Sequence, residues 1–122
     1  MTADIPSPWL LPAIAMIETH STLNTDGTIT RRDWRDDRDS VGPFQMRPVA
    51  WADVSSHFPG RALAECATDP ILARNACLAY VMRYHRKGEP WIMSACHWNG
   101  GPGKVPAAYK RKIEAIIGSG GN

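Results

Sequence analysis

The stretch that decides the fold is Asp69-Pro70-Ile71-Leu72-Ala73-Arg74-Asn75-Ala76-Cys77-Leu78-Ala79-Tyr80-Val81-Met82-Arg83-Tyr84-His85-Arg86-Lys87-Gly88. It opens on an aspartate that can cap a helix and a proline that fits a first helical position. It closes on basic residues and a glycine, the chemistry of a helix C-terminus. The spacing predicts a helix from Ile71 to Lys87, the longest in the chain.

Working outward, the same proline punctuation recurs. Ser7-Pro8 predicts a helix running to about His20, with Pro12 early enough to be tolerated and Glu18 near the end beside an apolar face. Pro48 opens a short helix carrying Trp51 and Val54. Pro90 opens another, ended by Asn99-Gly100-Gly101, and Pro106 opens a fifth, on which Tyr109, Ile113 and Ile116 or Ile117 form one apolar stripe. Between the first and second helices, Asp26-Gly27 is a turn signal flanked by threonines and isoleucine, which fits a short hairpin or an irregular loop. Arg31 to Asp39 reads as a solvated, charged loop. The expectation is a mostly α single domain over 1–117, with 118–122 as a loose tail.

Bulk properties bound the function. A chain of 122 residues with 43% hydrophobic and 21% charged residues has the composition of an ordinary globular domain, with room for one core. Its net charge of +2 suits an anionic partner but selects none. The longest apolar run, Trp9 to Ile17, is too short to span a bilayer. The first residues lack the basic stretch of a secretory signal. Cys66, Cys77 and Cys96 form no CxxC pair, so no metal site is expected. A Cys66–Cys77 disulfide or buried free thiols both fit. The basic residues Lys104 and Lys110-Arg111-Lys112 raise nucleic-acid binding, but the cluster is short and no recognition helix accompanies it.

Three stretches place polar or glycine-rich residues where a helical core has no use for them. In Ile17-Glu18-Thr19-His20-Ser21, a carboxylate against an apolar helix face is desolvated, which favours its protonated form. That is the property of a general acid, although the stretch alone also fits an exposed helix end. In Ser40-Val41-Gly42-Pro43-Phe44-Gln45-Met46-Arg47-Pro48, Gly42 permits a positive φ or a close backbone approach to a ligand, and Gln45 offers an amide suited to sugar hydroxyls. In His97-Trp98-Asn99-Gly100-Gly101-Pro102-Gly103, an aromatic ring and an amide precede a flexible turn, as at a sugar-binding cleft or at a simple helix stop.

Taken together and in this order, these blocks resemble the soluble lytic transglycosylases and the goose-type lysozymes. The family pattern is a helix-borne Glu, then Gly-Leu-Met-Gln-Ile-x-Pro, then an Ala-Tyr-Asn-Ala-Gly-like block. Asp69-Pro70 with Asn75 is similar to the segment between the last two, and the likeness spans roughly Ala13 to Tyr109. It implies a lysozyme-like α-rich fold with a small β region, and cleavage of the β-1,4 bond between N-acetylmuramic acid and N-acetylglucosamine in peptidoglycan. Glu18 would be the catalytic acid and then base. Gln45, Trp98, Asn99, Gly42 and Thr19 would bind substrate, without metal or cofactor. Three positions depart from the pattern. Thr19 replaces a serine, Arg47 stands where a Met is common, and Trp98 lacks the phenolic hydroxyl of the family's cleft tyrosine.

The resemblance leaves the fate of the cut end open. Lytic transglycosylases use the sugar's own 6-hydroxyl and leave a 1,6-anhydro end. Goose-type lysozymes use a water held by loop aspartates, and Asp36, nine residues before Gln45, has the matching spacing, with Asp26 as a further candidate. A noncatalytic wall-binding component of a phage or secretion apparatus is the alternative of another class. The expected partner is the glycan strand, engaged by a monomer, with no nucleic acid and no membrane span. The expected place of action is the cell wall, reached by phage lysis, a virion or a secretion machine.

Overall fold

The computed structural model describes residues 6–24, 26, 28–30 and 39–118. Among them are α1 (Leu10–Thr19), β1 (Thr22–Leu23), β2 (Ile29–Thr30), α2 (Pro48–Val54), α3 (Pro70–Tyr84), α4 (Trp91–Gly100) and α5 (Ala107–Ile117). Two short 3-10 turns, Ser55–His57 and Leu63–Ala67, join α2 to α3. The protein is mostly α with a small antiparallel hairpin, as the sequence pattern predicts.

Helix α4 sits at the centre. Trp91, Ile92, Ser94, Ala95, Cys96, His97 and Trp98 are all buried, so most of its circumference is enclosed and only its C-terminal end, at Asn99, is exposed. Helices α3 and α5 pack against it, and α1 lies on α5 and on the hairpin. Leu10, Ile14, Val54, Val81 and Ile113 are fully buried in this core. Each contributes about 1.5–3 kcal/mol by leaving water. On α5 the stripe consists of Tyr109, Ile113 and Ile117, and Ile116 is exposed.

Caps set the helix limits. The Asp69 carboxylate accepts the Leu72 amide at 3.0 Å, and Pro70 follows at the first helical position. Such a cap contributes about 1 kcal/mol. The Arg61 guanidinium donates to Asp69 at 2.7 Å and to Glu65 at 2.9 Å, fastening the preceding turn to this cap. Helix α3 stops at Tyr84, three residues short of the expected Lys87, and Gly88 at φ +82° makes the turn beyond. Helix α1 begins at Leu10, because Ser7 closes a turn of its own by accepting the Trp9 and Leu10 amides. Pro12 costs α1 no bond, since the first-turn amides have no helical acceptor.

The hairpin pairs Thr22 with Thr30 and Leu23 with Ile29. Two-residue strands are marginal alone. Here the buried Leu23 and contacts with α1 hold them. Cys66, Cys77 and Cys96 are free, buried thiols, so Cys66 and Cys77 are not bonded. Burial pushes the Cys66 and Cys96 thiols up to about 11, which leaves them unreactive near neutral pH. No helix among the described residues is long and apolar enough to cross a membrane.

Candidate active site

Glu18 lies in the last turn of α1, half-buried, and its Oε2 accepts the Tyr109 hydroxyl of α5 at 2.9 Å. Burial raises its pKa above the ordinary carboxylate value. The Tyr109 hydrogen bond and the charges of Arg47 and Lys112 oppose the rise without cancelling it. Tyr109 is itself pushed well above its ordinary pKa, first by burial and then by Glu18, so it remains a hydroxyl donor. The result is a carboxyl group held in place and biased toward its protonated form.

The chain leaves α1 through His20, a C-cap at φ +55° whose side chain is exposed. The next residues fasten Glu18 to the glycine–glutamine block. Thr19 is 2% exposed, and its hydroxyl donates to the Pro43 carbonyl at 2.7 Å while lying 2.6 Å from the Ser21 hydroxyl. Thr19 was expected to meet substrate. It is instead an internal strut, because a buried hydroxyl must be satisfied inside the protein.

The block itself is a tight loop closed by paired backbone bonds between Val41 and Met46, each 2.9 Å. Gly42 adopts φ +80°, and a Cβ there would lie 2.5 Å from the Cys66 carbonyl oxygen. Of the two roles expected for this glycine, the positive φ is the one seen, and the close approach it permits is to the chain's own backbone at Cys66. Gln45 has φ +54°, a conformation costing about 1–3 kcal/mol for a residue with a side chain. Its Nε2 donates to the Gly42 carbonyl at 2.9 Å, which supports the strained turn from within. Phe44 and Met46, flanking it, are 1% exposed and anchor the loop in the core.

The third block meets the second directly. The Trp98 indole N–H donates to the Phe44 carbonyl at 2.8 Å, and its ring packs edge-on against Tyr80. At 9% exposure, Trp98 offers only an edge to solvent. Asn99, next to it, is exposed at the end of α4. The turn that follows is pinned by His97, whose Nδ1 donates to the Lys104 carbonyl at 2.7 Å while Nε2 lies 3.2 Å from both Glu89 oxygens. Burial alone would raise Glu89. Hydrogen bonds from Ser94 and the Arg86 amide, with His97 beside it, hold it below its ordinary value.

Gln45, Arg47, Asp53, Tyr80, Trp98 and Gly101 share a cavity of about 140 Å³. Asp53 accepts the Tyr84 hydroxyl at 2.6 Å. A larger hollow of about 480 Å³ lies at the other end of α1, where Arg74 is the one charged residue among the described residues that line it. Among the described residues it brings together no carboxylate with a second proton carrier, so its size does not make it the candidate site.

All three sequence blocks thus converge, through Thr19–Pro43 and Trp98–Phe44. Asp26 stands apart from this junction. Its carboxylate accepts the Thr28 amide at 2.9 Å and the Thr28 hydroxyl at 2.6 Å at the hairpin tip. Asp36, the other candidate to hold a water, lies outside the described residues, as do 31–38 as a whole and tail residues 119–122. Tyr109, Tyr80 and Asp53 were not singled out from sequence. Tyr109 read as part of an apolar stripe, although a buried tyrosine hydroxyl calls for a partner. No group of three His, Cys, Asp or Glu among the described residues is placed to hold a metal ion. No protein-family model matches the chain, and no curated protein or solved structure matches it either.

Proposed function

We propose that this chain cleaves the β-1,4 bond between N-acetylmuramic acid and N-acetylglucosamine in peptidoglycan, with Glu18 as the acid, and leaves 1,6-anhydro-muramic ends. The observation that carries the reading is the setting of Glu18. It is a desolvated carboxyl group with a raised pKa, bonded to Tyr109 and linked through Thr19 to the Gln45 loop. A carboxyl group protonated above its usual range can donate to a glycosidic oxygen under mild conditions.

In this reading Glu18 passes its proton to the leaving oxygen as the C1–O4 bond breaks. The acetamido oxygen of the muramic ring attacks C1 and holds the positive charge. Glu18, now a carboxylate, accepts the proton of the 6-hydroxyl as O6 displaces the acetamido oxygen. One carboxylate serves both steps, so no second one is required, unlike the two-carboxylate glycosidases. Tyr109 supports the second half of the cycle, since its hydroxyl stabilises Glu18 after the proton has left. The order of the three blocks in the sequence supports the same assignment by resemblance.

The test is clearing of purified cell walls by the wild-type chain and by Glu18→Gln. Loss of about 10²–10⁴-fold in rate with an unchanged circular dichroism spectrum is expected for removal of a general acid. Binding of walls without fragment release by the wild type would favour a noncatalytic wall-binding component instead.

A further inference from the structure

Glu18 is bordered by cations from two separate elements. Arg47 is exposed, directly follows the Val41–Met46 bridge, and lines the same cavity as Gln45 and Trp98. Lys112 is exposed on α5, three residues beyond Tyr109, and so on the helix side that reaches Glu18. Both charges act on the Glu18 carboxyl in the same sense, favouring its ionised form.

That placement works against the chemistry of the acid alone. Cations beside Glu18 discourage it from holding its proton, and they oppose the positive charge that develops at the sugar's anomeric carbon. A neutral glycan offers nothing to offset either effect. A glycan carrying carboxylates does, and an exposed guanidinium presents the planar two-donor fork that matches a carboxylate. Asp53 also lines the cavity, and one of its oxygens is held on the α3 side by the Tyr84 hydroxyl.

Resting on the activity proposed above, we infer that Arg47 is a specificity-determining residue that pairs with a carboxylate borne by the glycan strand. Lys112 adds longer-range attraction for the same negative charge. The carboxylate has two sources in such a strand, the lactyl group of a muramic residue without peptide or the acidic residues of its stem peptide. Arg47 stands where a Met is common in the pattern that the Gln45 block resembles. The charge at this position is therefore a feature of this chain's own sequence.

The experiment compares soluble glycan strands with the same strands after carbodiimide conversion of their carboxylates to methylamides. Both peptide-bearing and peptide-stripped strands are used, and fragment release gives kcat and KM for each. For the wild type, kcat/KM should fall about tenfold on the neutralised strands, with the change in KM, as for loss of a charge-assisted hydrogen bond. Arg47→Gln should lose the same factor on charged strands and no longer distinguish the two, and Arg47→Lys should recover part of it. Lys112→Gln should reduce the dependence of KM on salt. Discrimination on stripped strands places the carboxylate on the lactyl group, and discrimination only on peptide-bearing strands places it on the peptide. Either result supports the inference. Equal use of charged and neutralised strands by the wild type, or full discrimination by Arg47→Gln, overturns it and leaves the proposed activity standing. Release of no fragment from any strand by the wild type overturns the activity and this inference together.

Discussion

The hydroxyl of Tyr109 donates to Oε2 of Glu18 at 2.9 Å, joining the start of α5 to the end of α1 across 91 positions of sequence. This bond fixes one carboxylate oxygen of Glu18. It also sets two influences on that group against each other, because burial favours the protonated carboxyl and the phenol favours the carboxylate. An acid that must give up a proton and take it back in one cycle is served by both.

Tyr109→Phe removes the influence that lowers the Glu18 pKa and keeps the ring in the core. The alkaline limb of the pH–rate profile should therefore move to higher pH. The rate at its optimum should fall by about tenfold to a hundredfold as the carboxyl loses its orientation. An unchanged profile with an unchanged rate would show that the contact has no part in the chemistry.

Glu18 should also cost the fold stability when ionised. Its pKa is raised in the folded state above the ordinary 4.5. Between those two values the folded protein holds a proton that the unfolded chain has released, so stability falls as pH rises through the window. Glu18→Gln stays neutral throughout. It should be more stable than wild type at pH 7, where the wild-type carboxylate is ionised against its burial. The difference should vanish below pH 4. Thermal melts across that range that run in parallel for the two proteins would refute the burial argument.

Thr19→Val keeps the shape of the strut and removes its hydroxyl. The Pro43 carbonyl then loses its 2.7 Å partner, at a cost of about 1–3 kcal/mol for a buried group left unsatisfied. Cleavage should fall as well, because the Gln45 loop loses its tie to the Glu18 helix. Thr19→Ser should restore both. Urea unfolding and wall clearing of the pair measure the two effects side by side, and a Val variant as stable and active as the Ser variant would contradict this role.

Gly42→Ala should destabilise by about 3 kcal/mol or more, from the left-handed backbone together with overpacking against Cys66. The added methyl carbon would sit 2.5 Å from a backbone oxygen, which cannot move aside as a flexible side chain could. Chemical denaturation tests this, and a loss below about 1 kcal/mol would mean that the 3-10 turn at Leu63–Ala67 yields easily.

Much of this architecture is legible in local sequence chemistry. Asp69-Pro70 and Gly88 bound α3 because caps and glycine turns act within a few residues, and the Asp26 turn places the hairpin for the same reason. The limits of α1 and α3 slip by two or three residues, since Ser7 and the residues after Tyr84 make turns whose partners are equally local and compete with the helix. The 3-10 turns between α2 and α3 carry no strong periodic signal and escape such a reading. At the site, the Glu18, Gln45 and Trp98 blocks stand out by their composition. What those side chains do depends on partners far away in the chain. Thr19 turns inward because Pro43 presents a carbonyl there, and Tyr109 reaches Glu18 only because α5 packs on α1. Gly42 is required by Cys66, a residue that no local pattern connects with it.

The most direct measurement is mass spectrometry of the muropeptides released from purified peptidoglycan by the wild-type chain, with Glu18→Gln alongside. The account expects fragments ending in 1,6-anhydro-muramic acid from the wild type and none from the variant. Reducing muramic ends would contradict the intramolecular step and indicate water as the nucleophile. Equal release by Glu18→Gln would contradict the assignment of Glu18 as the acid.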